Sequence, residues 1–153
     1  MHLAPIAGRS IDQLEEAMIS LATRMNATEY EFLVLVREFD IRQGWRSWNL
    51  NNTAEWLNMK CGISLGAARE KVRVALALLD LRACSEAFAA GDLSYSKARA
   101  MTRVATPRNE EELLALAIPR TVSQVEAHCR AKRNAQRRES TADANRAHAA
   151  RCL

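Results

Sequence analysis

Apolar and polar positions recur along this chain with the period of an α-helix. In the stretch near 27–43, Tyr30, Leu33, Val34 and Val36 fall among the apolar positions, while Glu31, Arg37 and Glu38 suit a wetter side. The short runs "EFLVLV" and "VALALL" each fit the buried stripe of a helix. Nothing alternates with period two and β-branched residues never cluster, so no sheet is expected. N-terminal capping patterns recur at Ser10-x-x-Gln13, Asn26-x-x-Glu29, Asn52-x-x-Glu55, Asn109-x-x-Glu112 and Thr121-x-x-Gln124. Gly44, Gly62 and Gly91 stand where helices should end, each expected to supply the left-handed conformation. Together these signals predict helices at about 11–25, 27–43, 53–61, 65–80, 83–90, 95–106, 110–118 and 122–138. The fold class expected is all-α, a multi-helix orthogonal bundle.

Trp45 and Trp48, in "GWRSWNLNN", are expected to anchor a helical corner in the core rather than to stack on bases, and Trp56 is expected in the core as well. "RAKRNAQRRE" (130–139) places five basic residues before its first acid, the usual look of a solvated helix end. The last stretch, 139–153, is alanine-rich and weakly patterned: either a further helix or a segment lacking the partner it would pack on.

With 153 residues, the chain has the length of one domain. The start "MHLAPIAGRS" has no apolar signal core, and no apolar run reaches the length of a membrane span. Cys61, Cys84, Cys129 and Cys152 are scattered without a C-x-x-C pair, reading as reduced thiols in a cytoplasmic protein. The net charge of +4 is unevenly spread. Residues 1–40 hold 3 basic and 7 acidic side chains, residues 41–106 hold 10 and 5, and residues 107–153 hold 9 and 6. A polyanionic partner would therefore meet the middle and the end of the chain.

The stretch "CGISLGAAREKVRVALALLDL" (61–81) has the layout of a helix-turn-helix at about 53–80. Gly62 ends the first helix, Ile63 plugs the corner and Ser64 caps the second. The second helix of such a unit offers its first turns to the DNA major groove. Gly66 and Ala67 leave room for a backbone to approach, and Ala68, Val72, Ala75, Leu76 and Leu79 form the expected buried stripe. Arg69 and Arg73 then stand one turn apart on one flank, with Lys71 on another. Like charges so placed repel by about 0.2–0.5 kcal/mol, and a phosphate between them would remove the repulsion. Asn58 sits where such motifs prefer alanine, and Lys71 where an apolar residue is more usual. "ARAMTRVA" (98–105) repeats the spacing of "AREKVRVA" (68–75), with Arg99 and Arg103 again one turn apart. These are two amphipathic helices with similar solvent faces, or two helices turning paired arginines toward one phosphate track.

The residues from "TEYEFLVLVREFD" through "AEWLNMKCGIS", "GAAREKVRVA" and "GDLSYSKARAMTRVATP" closely resemble the bacterial domain of unknown function 222. The likeness covers about residues 10–138, leaving 139–153 as the start of a further region. The resemblance implies a helical domain at the N-terminal side of proteins that end in an HNH endonuclease module, and so a link to DNA. "GIS…ALLDLRACSEAFAAGDLSYSKARAM" is also similar to the helix-turn-helix region of plasmid and chromosome partition proteins. An HNH nuclease needs a histidine base, an asparagine and a metal-binding histidine on a ββα frame. Here His128, Asn134, Asn145 and His148 stand in helix-like sequence, and His128, Cys129, His148 and Cys152 read as surface or tail residues rather than a zinc site. The expectation is a DNA-binding module without catalytic residues, metal or cofactor in this chain. Ser64, Gly66, Arg69, Lys71, Arg73, Lys97, Arg99 and Arg103 are its candidate DNA-contacting residues. DNA is the expected partner, with no membrane and no small-molecule substrate. Two rivals stand beside it: an assembly domain, in which the acidic 1–40 segment meets the basic 41–106 segment of another copy, and a nuclease with a cryptic site at 128–152.

Overall fold

The computed structural model describes residues 6–151. It contains seven α-helices: α1 (Ile11–Ile41), α2 (Thr53–Cys61), α3 (Leu65–Ala77), α4 (Arg82–Ala89), α5 (Tyr95–Met101), α6 (Glu110–Ala117) and α7 (Val122–Arg151). Short 3₁₀ turns occur at Ile6–Gly8, Gly44–Trp48 and Leu78–Asp80, and no strand occurs among the described residues. The fold is all-α, as the period of the sequence requires.

Four of the five capping patterns lie at helix starts, and three of those cap with their side chains. Ser10 and Gln13 form a reciprocal box at α1, and Thr121 and Gln124 do the same before α7. The Asn52 side chain accepts from the Glu55 N–H at 3.0 Å. Asn109 also precedes its helix, but its side chain does not cap it. Its Oδ1 accepts from the Thr106 N–H and its Nδ2 donates to the Val104 carbonyl, bracing the preceding loop.

The fifth pattern misleads. Asn26 and Glu29 lie in mid-helix, so the two helices expected at 11–25 and 27–43 are one. Both side chains serve tertiary contacts instead: Asn26 Nδ2 donates to the Gly91 carbonyl at 3.1 Å, and Glu29 pairs with Lys71. At the other end, α7 continues through 139–151, because that alanine-rich stretch holds no glycine or proline to stop it. Cys152 and Leu153 lie outside the described residues.

The core joins Leu33 and Val36 of α1, Leu57 of α2, Val74 and Ala75 of α3, Phe88 of α4, Met101 of α5, Leu113 of α6 and Val125 of α7. Helix α3 packs on α1 and α2, α4 on α1 and α6, and α7 on α5. Phe88 is fully buried, and its ring lies 5.6 Å from that of Tyr30. Helix α3 is regular only to Ala77, and its buried stripe is rotated from the expected one. Ala68 and Ala75 are buried as expected, Val72 and Leu76 are half-buried, Leu79 is exposed, and Val74 and Leu78 fill the core. The tighter 3₁₀ turn at Leu78–Asp80 changes the angular step, which swings Leu79 outward.

The corner between α1 and α2 departs from expectation twice. Gln43 takes the left-handed conformation with φ +53°, not Gly44. Gly44 is needed for space, since a Cβ there would lie 2.3 Å from the Phe39 ring. Trp56 packs on the core, 4.5 Å from Phe39, and Trp45 is half-buried. Trp48 is exposed rather than a core anchor, with the Lys60 ammonium 3.8 Å above its ring.

Candidate nucleic-acid interface

The α2–α3 corner closes as its sequence suggests. Gly62 adopts φ +67° and its N–H bonds back to the Leu57 carbonyl. Asn58 lies on the outside and donates to the Ile63 carbonyl at 2.8 Å, clamping the turn. Ile63 packs against the core, and Ser64 Oγ accepts from the Ala67 N–H at 3.4 Å. Ser64, Gly66, Ala67 and Arg69 are all exposed at the start of α3. Arg69 has no hydrogen bond or ion pair among the described residues. Its charge is felt by Glu55 on α2, whose carboxyl is held low first by the Asn51 N–H and amide and last by Arg69.

Arg73, one turn on, is differently placed. Its guanidinium bonds both oxygens of Glu70, at 3.1 and 3.3 Å, and also reaches the Arg99 carbonyl at 3.0 Å and Thr102 Oγ1 at 3.3 Å. It is a half-buried strut from α3 to α5. Lys71 is likewise engaged: it pairs with Glu29 and stands 4.2 Å over the Tyr95 ring. The expected pair of outward-facing arginines on α3 is thus one exposed arginine and one structural arginine. Repulsion between them is answered inside the protein, by Glu70.

The second arginine pair opens a different surface. Arg99 meets Glu126 of α7 at 3.1 Å, and Arg103 meets Glu70 at 2.7 Å. Burial pushes the Glu70 carboxyl up, but Arg73 and Arg103 together outweigh it and hold the group below the ordinary glutamate range. Lys97 Nζ donates to the Ile118 carbonyl at the end of α6, at 3.0 Å. Arg99 and Arg103 then line an open groove of about 340 Å³ between α5 and α7, facing Arg130 and Arg133 across a floor of Ala100 and Cys129. Glu126 is its single lining carboxylate. Burial pushes the Cys129 thiol up against the opposing pull of Lys132.

Arg130 and Arg133 come from the run that reads as a solvated helix end. Their signal is the spacing of Glu126, Cys129, Arg130 and Arg133 at i, i+3, i+4 and i+7, which puts a buried thiol and two arginines on one face. Beyond the groove, Arg137 and Arg138 continue along the exposed part of α7 beside Asn134 and Asn145. His128 and His148 lie on the same helix, and among the described residues no three His, Cys, Asp or Glu side chains gather where they could hold a metal ion. No helix is long and apolar enough among the described residues to cross a membrane.

The molecule is thus a helical domain with an arginine-lined groove between α5 and α7 and a capped, exposed start to α3. It belongs to the family described as domain of unknown function (DUF222), whose profile matches residues 12–151. The match takes in the whole of α7, including the stretch past residue 138. No curated protein matches the chain, and no solved structure does.

Proposed function

We propose that this domain binds DNA, chiefly through phosphates held in the groove between α5 and α7. The observation that carries the reading is the convergence of Arg99, Arg103, Arg130 and Arg133 on one open groove with a single lining carboxylate. The two counter-ions already present do not close it to a polyanion. Partly exposed pairs such as Arg99–Glu126 and Arg103–Glu70 are worth about 0–1 kcal/mol each. A phosphate that frees condensed counterions on binding displaces them readily. Arg137 and Arg138 extend the track along α7, and Ser64, Gly66 and Arg69 offer the start of α3 as a further docking point in the manner of a helix-turn-helix. Lys71, Arg73 and Lys97 do not belong to the DNA-facing group, because the protein itself occupies them. With so few side chains free on α3, backbone contacts outweigh base reading and binding is weakly sequence-dependent. The domain holds DNA without cutting it, consistent with a module that would deliver DNA to an HNH nuclease.

Fluorescence anisotropy with a labelled duplex at two salt concentrations tests this. Binding is expected at low salt, and Arg130→Ala/Arg133→Ala flattens the dependence of log affinity on log salt by about 0.9 for each phosphate no longer neutralised. Glu126→Gln, which frees Arg99, tightens binding. No binding at low salt, or a double variant that binds like the parent, overturns the reading.

A further inference from the structure

Cys129 is the last residue of α7 that the core buries, and beyond Lys132 every described residue of the helix is exposed. At 1.5 Å per residue, residues 133–151 carry the helix about 28 Å further with water on every side. Alanine is the only apolar residue type in that stretch, so it offers no seam to a partner helix. What it offers is charge and hydrogen-bonding groups, with five arginines against Glu139 and Asp143. These are sorted by face. At 3.6 residues per turn, Asn134, Thr141 and Asn145 lie within about 40° of one another around the axis, and they share one exposed surface with Arg137 and Arg138. Arg133 and Arg137 flank this stripe on one side and Arg138 on the other. Glu139 and Asp143 stand about 140° or more from Asn134, and Asp143 pairs with Arg146 at the back. Thr141 Oγ1 donates to the Arg137 carbonyl at 2.9 Å, while neither asparagine side chain makes a hydrogen bond among the described residues.

We infer that this outer half of α7 lies in the major groove of duplex DNA and reads adenine there through Asn134 and Asn145. The inference rests on the DNA binding proposed above and adds the element that gives it a modest sequence preference. A helix about 10–12 Å across fits a major groove about 12 Å wide. An asparagine amide donates to N7 of adenine and accepts from its N6 amino group, a pairing that guanine, with two acceptors, does not offer. Arginines on both flanks of the asparagine stripe meet the phosphates on the two walls of the groove, the arrangement of a continuous basic helix crossing DNA. The acids then face away from the polyanion. Arg130 and Arg133, which line the cleft between α5 and α7, lead the phosphate track directly onto the reading stripe.

Selection by the full chain from a duplex library with a randomised stretch, followed by fluorescence anisotropy on the selected duplex, tests it. Adenine is expected to be enriched. Replacing the enriched adenine by 7-deazaadenine removes N7 from the major groove and leaves the charge and the minor groove unchanged. That replacement is expected to weaken binding by about fivefold or more. Asn134→Ala/Asn145→Ala stands at exposed helical positions where alanine is the better helix former. The variant erases the difference between the two duplexes and keeps the salt slope, because no charge is lost. A library that enriches no adenine, a parent that binds both duplexes equally, or a variant that keeps the difference overturns the reading by α7, while salt-dependent binding leaves the phosphate groove standing. No binding to any duplex at low salt overturns both.

Discussion

Gly62 and Gly91 both take positive φ, +67° and +86°, and for both the sequence position at a helix end is sufficient warning. Their surroundings separate them. A Cβ on Gly62 meets nothing within 4 Å, whereas one on Gly91 lies 2.3 Å from the Thr23 carbonyl oxygen of α1. Gly62→Ala is therefore expected to cost about 1–2 kcal/mol from left-handed sterics alone. Gly91→Ala adds a clash with rigid backbone worth about another 1–3 kcal/mol. Urea denaturation of the two variants reads the difference, and equal losses would refute the close packing of α1 on the turn after α4. Only the first of these two reasons is legible locally, since Thr23 and Gly91 are brought together by the fold. The same holds for the arginines. The spacing of Arg69 and Arg73 correctly puts both on one flank of α3, but it cannot tell that Glu70, Arg99 and Thr102 will claim Arg73 and leave Arg69 in solvent.

Helix α4 shows how an element without its own cap is completed by another. Leu81, at its N-cap, has no side chain that can accept a hydrogen bond. Glu110, at the start of α6 and 6% exposed, supplies the acceptor: its Oε2 takes the Cys84 N–H at 3.0 Å. Removing that acceptor in Glu110→Ala leaves a buried N–H unpaired, at a cost of about 1–3 kcal/mol. Glu110→Gln keeps an oxygen in reach and loses less, and thermal unfolding of the pair orders them. The same hydrogen bond bears on the neighbouring thiol. Burial first, and the Glu110 carboxylate second, push Cys84 up to about 12. Mildly alkaline thiol reagent should then modify exposed Cys61 in the native protein and spare Cys84 and Cys129, as peptide mapping will show. The caps written within one helix, at Ser10, Asn52, Ser64 and Thr121, are read straight from the chain. A cap supplied from α6 is not, nor is the false signal at Asn26, because in each case the deciding partner is remote in sequence.

At the scale of the whole molecule, Glu70 holds Arg73 of its own helix and ties α3 to Arg103 in the loop after α5, so it links the fold to the groove. Because its carboxyl is held low in the folded protein, its contribution is present above the ordinary glutamate value of about 4.3 and is lost as pH falls through the folded value. The stability gap between the parent and Glu70→Gln should therefore be open at neutral pH and close in acid, as urea midpoints across a pH series will show. The groove is invisible in the sequence because it exists only where α5 packs on α7. The bundle itself is visible because helical period and capping are local. This division predicts that binding and stability separate along α7. Arg137 and Arg138 are exposed, lie beyond the packed part of the helix and make no side-chain bond among the described residues. Arg137→Ala/Arg138→Ala should melt with the parent protein while lowering the salt slope of DNA binding by about 1.8 if each side chain meets one phosphate. Arg73→Ala should do the reverse, lowering stability by removing the α3–α5 strut and leaving the slope unchanged. If the two variants exchange these signatures, α7 is scaffold, α3 is the DNA-facing surface, and the assignment of the groove fails.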